Sequence, residues 1–274
     1  MGPGWLDLDG VVNMRDVGGL PTTDGQAIAP GRLIRSDNLQ ELPPASVRRL
    51  VDDLHLTDVV DLRTPVEVAK EGDGPLLAEP GVRVHHLTLY PEHTAESGIP
   101  VGERELPWAG QDRLAPPERA RRTTQSPLAR DHDAFWSGHY LGYLDKRPDS
   151  VVAALRIIGR SSGAVVVHCA AGKDRTGTIV GLALTLAGAT DDAVVADFAA
   201  SAERVPRIME RLSRRPAYAA DLVGKTVAEQ SPRADTMRRL LAVLDSTYGG
   251  VEGWLAAQGW ETADTDRLRA KLRS

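Results

Sequence analysis

The chain has 274 residues and a formal charge of −5, with 42% hydrophobic, 26% charged and 4% aromatic residues and a single cysteine. This composition excludes a disordered chain, the acidic balance argues against a general nucleic-acid binder, and one cysteine cannot form an internal disulfide. The length suits a single α/β domain over 1–274 that carries an insertion or a helical extension.

The first twenty residues hold neither a basic segment nor the apolar run of a signal peptide, and no stretch is apolar enough to span a membrane. The expectation is a cytoplasmic chain without a membrane span, with non-classical export left open. Short β-like runs separated by Gly and Pro then follow: Val11–Met14, Arg32–Arg35, Asp58–Leu62 and Val82–Leu89. Between the second and third, Val47, Leu50, Val51 and Leu54 have the i, i+3, i+4, i+7 spacing of an amphipathic helix.

Residues 90–130 change character, with Pro91, Pro100, Pro107, Pro116, Pro117 and Pro127 and the run ERARR at 118–122. This segment reads as a variable insertion, either a solvated face or a lid that meets an anionic substrate. Helices are expected over 132–146 and 149–160, the second capped by Asp149. GAVVVHC at 163–169 suits a buried central strand. A long apolar helix ending near Gly188 comes next, then helices over 190–201, 203–214, 232–248 and 263–273. Strands followed by a helix-rich second half give an α/β fold.

The chemistry sits between Val165 and Gly177. A buried strand ends at Cys169, the small residues Ala170, Ala171 and Gly172 follow, and Lys173-Asp174-Arg175-Thr176 opens the helix. A strand-to-helix loop offers free N–H groups and the positive end of a helix dipole to an anion. Arg175 can grip two phosphate oxygens with its planar fork. By itself Cys169 reads either as a small buried hydrophobe or as a reactive thiol. In this field the thiolate is favoured, and its attack on a phosphate monoester would form a cysteinyl-phosphate. The loop amides and Arg175 would stabilise the transition state, and a nearby acid would protonate the leaving group. Among 28 arginines a Cys-x5-Arg spacing alone says little. Its coincidence with the strand, the small-residue loop and the Thr-Gly start of an apolar helix makes it specific.

HCAAGKDRTG resembles the HCxxGxxR[ST]G signature of the cysteine-dependent protein-tyrosine-phosphatase superfamily, and its form is similar to the atypical bacterial tyrosine/lipid phosphatases of the mycobacterial secreted type. Asn13-Met14-Arg15-Asp16-Val17-Gly18-Gly19 resembles that family's N-x-R-D-[LV]-G-G motif. Gly31–Ser36 resembles its G-x-[LIV]-[FY]-R-S strand with Ile34 in place of the aromatic, and Asp61-Leu62-Arg63 its D-L-R strand end. Tyr248-Gly249-Gly250 resembles its C-terminal end, so only 90–130 is unmatched.

The resemblance implies a tyrosine-phosphatase-like fold, a mostly parallel central sheet flanked by helices, with a helical insertion or lid at 90–130 or 203–230. It implies a metal-independent enzyme without a cofactor. Cys169 matches the nucleophile and Arg175 the phosphate-binding arginine, with Ala170, Ala171, Gly172, Lys173 and Asp174 completing the phosphate loop. Asp174 matches the general acid of this branch, while Asp131, Asp133 and Asp145 are upstream alternatives. Lys173 either binds a second phosphate or raises the local potential. His168, Thr176, Asp16 and Arg63 are supporting candidates, and Trp108, Trp136 and Tyr140 are candidates for an aromatic rim.

His168 lacks the companion His and Cys residues a metal site needs, and the adjacent His85 and His86 point to opposite faces of a strand. The implied substrates are phosphotyrosine-type phosphoproteins, with phosphoserine/threonine proteins and phosphoinositides beside them. A small phosphorylated metabolite is an alternative. A sulfurtransferase or arsenate reductase, and a non-catalytic phosphate-binding module, are competing classes.

Overall fold

The computed structural model describes residues 4–91, 99–108 and 131–274. The run ERARR at 118–122 and most of the proline-rich insertion lie outside the described residues. Six strands, β1 (Gly4–Trp5), β2 (Arg15–Asp16), β3 (Leu33–Ser36), β4 (Leu56–Asp61), β5 (Arg83–His86) and β6 (Ala164–His168), form one sheet in the order β1-β2-β3-β6-β4-β5. β3, β6, β4 and β5 are parallel, and β1 and β2 add to one edge antiparallel.

A strand in the middle of a parallel sheet is covered on both faces, which is why β6 shows no polar alternation. Val165 and Val167 enter a core with Leu33 and Val60, while Ala164 and Val166 enter the opposite core with Ile34 and Val59. This is the two-residue period of a strand. Burying each valine contributes about 1.5–3 kcal/mol, so the β-branched run holds β6 at the centre.

The helices are α1 (Pro44–Arg48), α2 (Pro65–Glu71), α3 (His132–Lys146), α4 (Pro148–Arg160), α5 (Asp174–Leu186), α6 (Asp191–Ala200), α7 (Val205–Leu212), α8 (Ala219–Leu222), α9 (Val227–Gln230), α10 (Ala234–Tyr248), α11 (Val251–Ala256) and α12 (Thr262–Arg273). The larger core collects side chains from α3 to α6 and α10 to α12, while α1 packs on the other face.

Four local expectations are corrected. Val11–Met14 is not a strand: the N–H groups of Val12 and Asn13 donate to the Asp37 carboxylate at 3.0–3.2 Å instead of joining a ladder, and β2 begins only at Arg15. The Val47–Leu54 helix starts as α1 and widens into a π-helical turn over Arg49–Asp53. The strand expected over Val82–Leu89 covers only Arg83–His86. Asp149 does not cap α4, which starts at Pro148, but pairs with Arg147 at 2.9 Å.

The register decides where a ligand can sit. Ser36 and Asp61 flank His168 across the parallel ladder, so β3, β6 and β4 end side by side. Asp37, Cys169 and Arg63 emerge together beyond that edge, where open α/β sheets bind ligands.

Candidate active site

The loop Cys169–Lys173 leaves β6 and delivers the chain to the N-terminus of α5. Gly172 makes the turn with φ +68°, and a Cβ there would lie 2.5 Å from the backbone of Ser36 and Asp37. Only glycine allows both the left-handed backbone and the close approach. Ala170 O accepts from Asn38 N at 3.1 Å, so the loop is also tied to the end of β3. Cys169 is 2% exposed.

Arg175 is held from beneath by a residue that sequence reasoning missed. Its two terminal nitrogens donate to Glu67 at 2.7 and 2.8 Å, and one also donates to Leu62 O at 3.2 Å. This grip leaves the Nε edge of the guanidinium unused by Glu67. Burial pushes the Glu67 carboxyl up, but Arg175 overrides it and holds the group below the usual carboxylate range. Burial likewise opposes the Arg175 charge, and Glu67 keeps its pKa well above the ordinary value. The signal was local: Thr64-Pro65-Val66-Glu67 is a capping box with proline at the first helical position. The rings of Tyr90 and Trp108 lie 5.6 and 5.4 Å from the guanidinium.

Asp174 opens α5. Its Oδ1 accepts from the Tyr140 hydroxyl at 2.6 Å, and Oδ2 lies 3.3 Å from Lys173 Nζ. Burial raises its pKa, yet Lys173 and Tyr140 prevail and hold it below the usual value. Its side chain retains 23% exposure, toward a cleft between α3, α9 and the start of α10 that His132, Trp136 and Pro232 line. Lys173 turns away from the loop centre: Nζ donates to Gln230 O at 2.7 Å and sits 5.8 Å from the Trp136 ring.

The upstream carboxylates are occupied elsewhere. Asp131 caps α3 and pairs with Arg239 at 2.8 Å, Asp133 accepts from Thr236 at 2.7 Å, and Asp145 is exposed.

The N-terminal motifs form the underside of the loop. Arg35 donates to Gly172 O at 2.9 Å and to Asp197 at 2.6 Å, and Asn13 Nδ2 donates to Ala171 O at 2.9 Å. Arg15 donates to Asp197 at 2.8 Å and to Ser201 at 3.1 Å. Asp16, a supporting candidate, is not brought to the site: it accepts from Gly18 N and Gly31 N at 2.8 and 2.6 Å. Arg63 is close, fastened to Asp61 at 2.6 Å. His168 is buried with Nε2 3.6 Å from Asp61, and burial depresses its pKa to about 4, so the ring is neutral at pH 7. Among the described residues the buried Thr176 Oγ1 has no hydrogen-bond partner. His85 pairs with Asp58 and His86 with Arg63 O, on separate partners.

Above the loop lies the 203–230 segment. Ile208, Leu212, Ala217 and Tyr218 pack on Ala170 and Ala171, Arg211 pairs with Asp37, and Trp108 donates to Asp221.

The family model described as "Tyrosine phosphatase family" matches residues 6–274. The triple specificity protein phosphatase PtpB of Mycobacterium tuberculosis is 31% identical over 284 aligned residues, covering 97% of this chain and 98% of that protein. The chain belongs to the tyrosine phosphatase family. A putative tyrosine-protein phosphatase of Cupriavidus necator is 29% identical, with 91% of this chain and 82% of the relative covered. A tyrosine-protein phosphatase of Nostoc commune is 33% identical over about half of each chain, 50% and 46%. This protein is therefore a hydrolase of the protein-tyrosine-phosphatase type with the expected α/β fold. The Asn13, Arg15 and Arg35 network fixes the backbone of the loop that follows Cys169. No helix among the described residues is long and apolar enough to cross a membrane.

Proposed function

We propose that this chain is a cysteine-dependent phosphomonoesterase in which Cys169 is the nucleophile, Arg175 and the 170–175 amides bind the phosphoryl group, and Asp174 is the general acid. The observation that carries the reading is the strand-loop-helix turn that puts Cys169 just after β6 and Arg175 in the first turn of α5, with Arg175 gripped by Glu67. The Cys169 sulfur attacks phosphorus, the P–O ester bond breaks, and Asp174 gives its proton to the leaving oxygen. Water then attacks the cysteinyl-phosphate, Asp174 accepts its proton, and phosphate leaves as the thiolate is restored.

Asp174 is anionic in the free enzyme, held so by Lys173 and Tyr140. An arriving phosphate adds negative charge beside it and favours its protonation. The surrounding Tyr90, Trp108 and Trp136 rings favour an aryl phosphate, with phosphotyrosine first and phosphoserine/threonine proteins and phosphoinositides after it.

The 203–230 segment acts as a lid over the loop, and residues 1–274 work as one domain. The lid reading is supported by the packing of Ile208, Leu212 and Tyr218 on Ala170 and Ala171. The test is Cys169→Ser with p-nitrophenyl phosphate, phosphopeptides and phosphoinositides. Activity should fall by roughly 10⁴-fold or more. Unchanged hydrolysis would rule out the cysteinyl-phosphate route.

A further inference from the structure

The contact between Asp174 and Tyr140 reaches beyond the assignment of the acid, on which it rests. Tyr140 is 1% exposed and cannot swing away. Its ring stacks on Tyr143 at 5.9 Å and 20° and meets Phe198 edge-on at 5.9 Å. Its hydroxyl is a neutral donor, because burial and the neighbouring carboxylate both oppose the phenolate. At 2.6 Å from Oδ1 it donates to the ionised carboxylate, which has no proton to give back.

We propose that Tyr140 is the positioning residue of the acid: its hydroxyl occupies Oδ1 of Asp174 and leaves Oδ2 as the oxygen that carries and delivers the proton. Oδ2 is the oxygen beside Lys173. The same bond is stronger to the carboxylate than to the acid, so it also sets the pH at which Asp174 loses its proton. That favours Asp174 as proton acceptor in the second half of the cycle and limits it as donor in the first.

Other groups face this carboxylate: Lys173 and Arg175 from its own segment, His132, His139 and Tyr143 from α3, Tyr90 from the loop after β5 and Glu229 from α9. All of them are retained when only the Tyr140 hydroxyl is removed, so a shift on its removal belongs to that hydroxyl.

The experiment is the pH dependence of kcat/KM for phenyl phosphate in the full chain, for wild type, Asp174→Asn and Tyr140→Phe. An acid must be protonated to act, so its ionisation gives the limb on which rate falls as pH rises. Asp174→Asn should lose that limb. Tyr140→Phe should move it upward by about one pH unit, the size expected for one hydrogen bond to a charged group. With the carboxyl no longer oriented, its plateau kcat should fall roughly tenfold for phenyl phosphate and little for p-nitrophenyl phosphate. If Tyr140→Phe does not fold, 2,3-difluorotyrosine at position 140 keeps the ring and strengthens the donor, and the limb should move downward. A limb lost in Asp174→Asn but unmoved by both changes at 140 overturns the role of Tyr140 and leaves the acid in place. A limb retained in Asp174→Asn overturns both.

Discussion

The two faces of the Cys169–Arg175 loop are built in opposite ways. Beneath it, Asn13, Arg15, Arg35, Asp197 and Ser201 are joined by hydrogen bonds of 2.5–3.3 Å, and among the described residues only Arg35 Nε lacks a partner there. Above it, between α7, α8 and the 37–41 and 63–71 segments, buried polar atoms go unmatched among the described residues. Both side-chain polar atoms of Asn38, Arg63 Nη1 and the Tyr218 hydroxyl have no partner. Arg215 reaches Glu41 and Glu71 only as loose ion pairs at 3.3 and 3.5 Å. A buried polar group without a partner costs about 1–3 kcal/mol. The underside is therefore a mould in which nearly every polar atom is matched, while the upper interface is closed by apolar packing and by Arg211, which donates to Asp37, Glu41 and Asn38 O beside polar atoms left without partners. That difference is what a site needs when its anion-binding geometry must be rigid and its access must vary.

The sharpest way to break this contrast is to remove one polar group from each side. Asp197 is the shared carboxylate of two fully buried arginines. Asp197→Asn leaves both short of a counter-charge and should cost about 3–5 kcal/mol in urea unfolding, with activity lost along with the loop. Asn38→Leu removes a side chain without partners and keeps its approximate shape, so its cost should stay below about 1 kcal/mol. Equal losses from the two substitutions would show that the two interfaces do not differ in the way the hydrogen bonds suggest.

The underside should also carry a pH signature. His168 is buried and neutral, with a folded-state pKa of about 4, below the ordinary histidine value of about 6.5. A depressed histidine contributes stability that is complete above the unfolded pKa and is lost as pH falls toward the folded one. Between pH 7 and pH 5 the unfolded chain takes up the proton and the folded chain does not. Stability should fall by about 2 kcal/mol from this residue. His139, also depressed by burial, titrates in the same direction. Chemical denaturation of His168→Gln at both pH values isolates the contribution, and an unchanged pH slope would refute it.

The loop was legible in the sequence because its signals are local. A β-branched run, three small residues and a Cys-x5-Arg step occupy thirteen consecutive positions from Val165 to Gly177. Glu67 was also written locally, in the capping box at Thr64, but that signal speaks only of a helix start and not of Arg175, which lies 108 residues away. Asp197 gives no sign of its role, since Arg15 and Arg35 are 182 and 162 residues distant. Val11–Met14 misled because Val11 and Met14 are buried as strand residues would be, yet the backbone between them serves Asp37. Hydrophobic spacing reports burial, and the destination of the N–H groups is a tertiary matter.

The smallest expected effect discriminates most finely between the two interfaces. Tyr218 packs its ring on Ala170 and Ala171 while its hydroxyl is buried without a partner among the described residues. Tyr218→Phe keeps the ring and removes the oxygen that the closed interface leaves unsatisfied. With the 203–230 segment as the proposed lid, its closed form should gain up to about 1 kcal/mol, which corresponds to a population shift of roughly fivefold. Cys169 is the only cysteine, so alkylation by iodoacetamide reads access to the loop without interference. Its rate should fall by roughly fivefold while Tm rises slightly, because a smaller fraction of molecules is open. Faster alkylation would mean that the hydroxyl stabilises the closed form through a contact of its own, and the contrast between a fixed underside and a separable cover would no longer hold at this position.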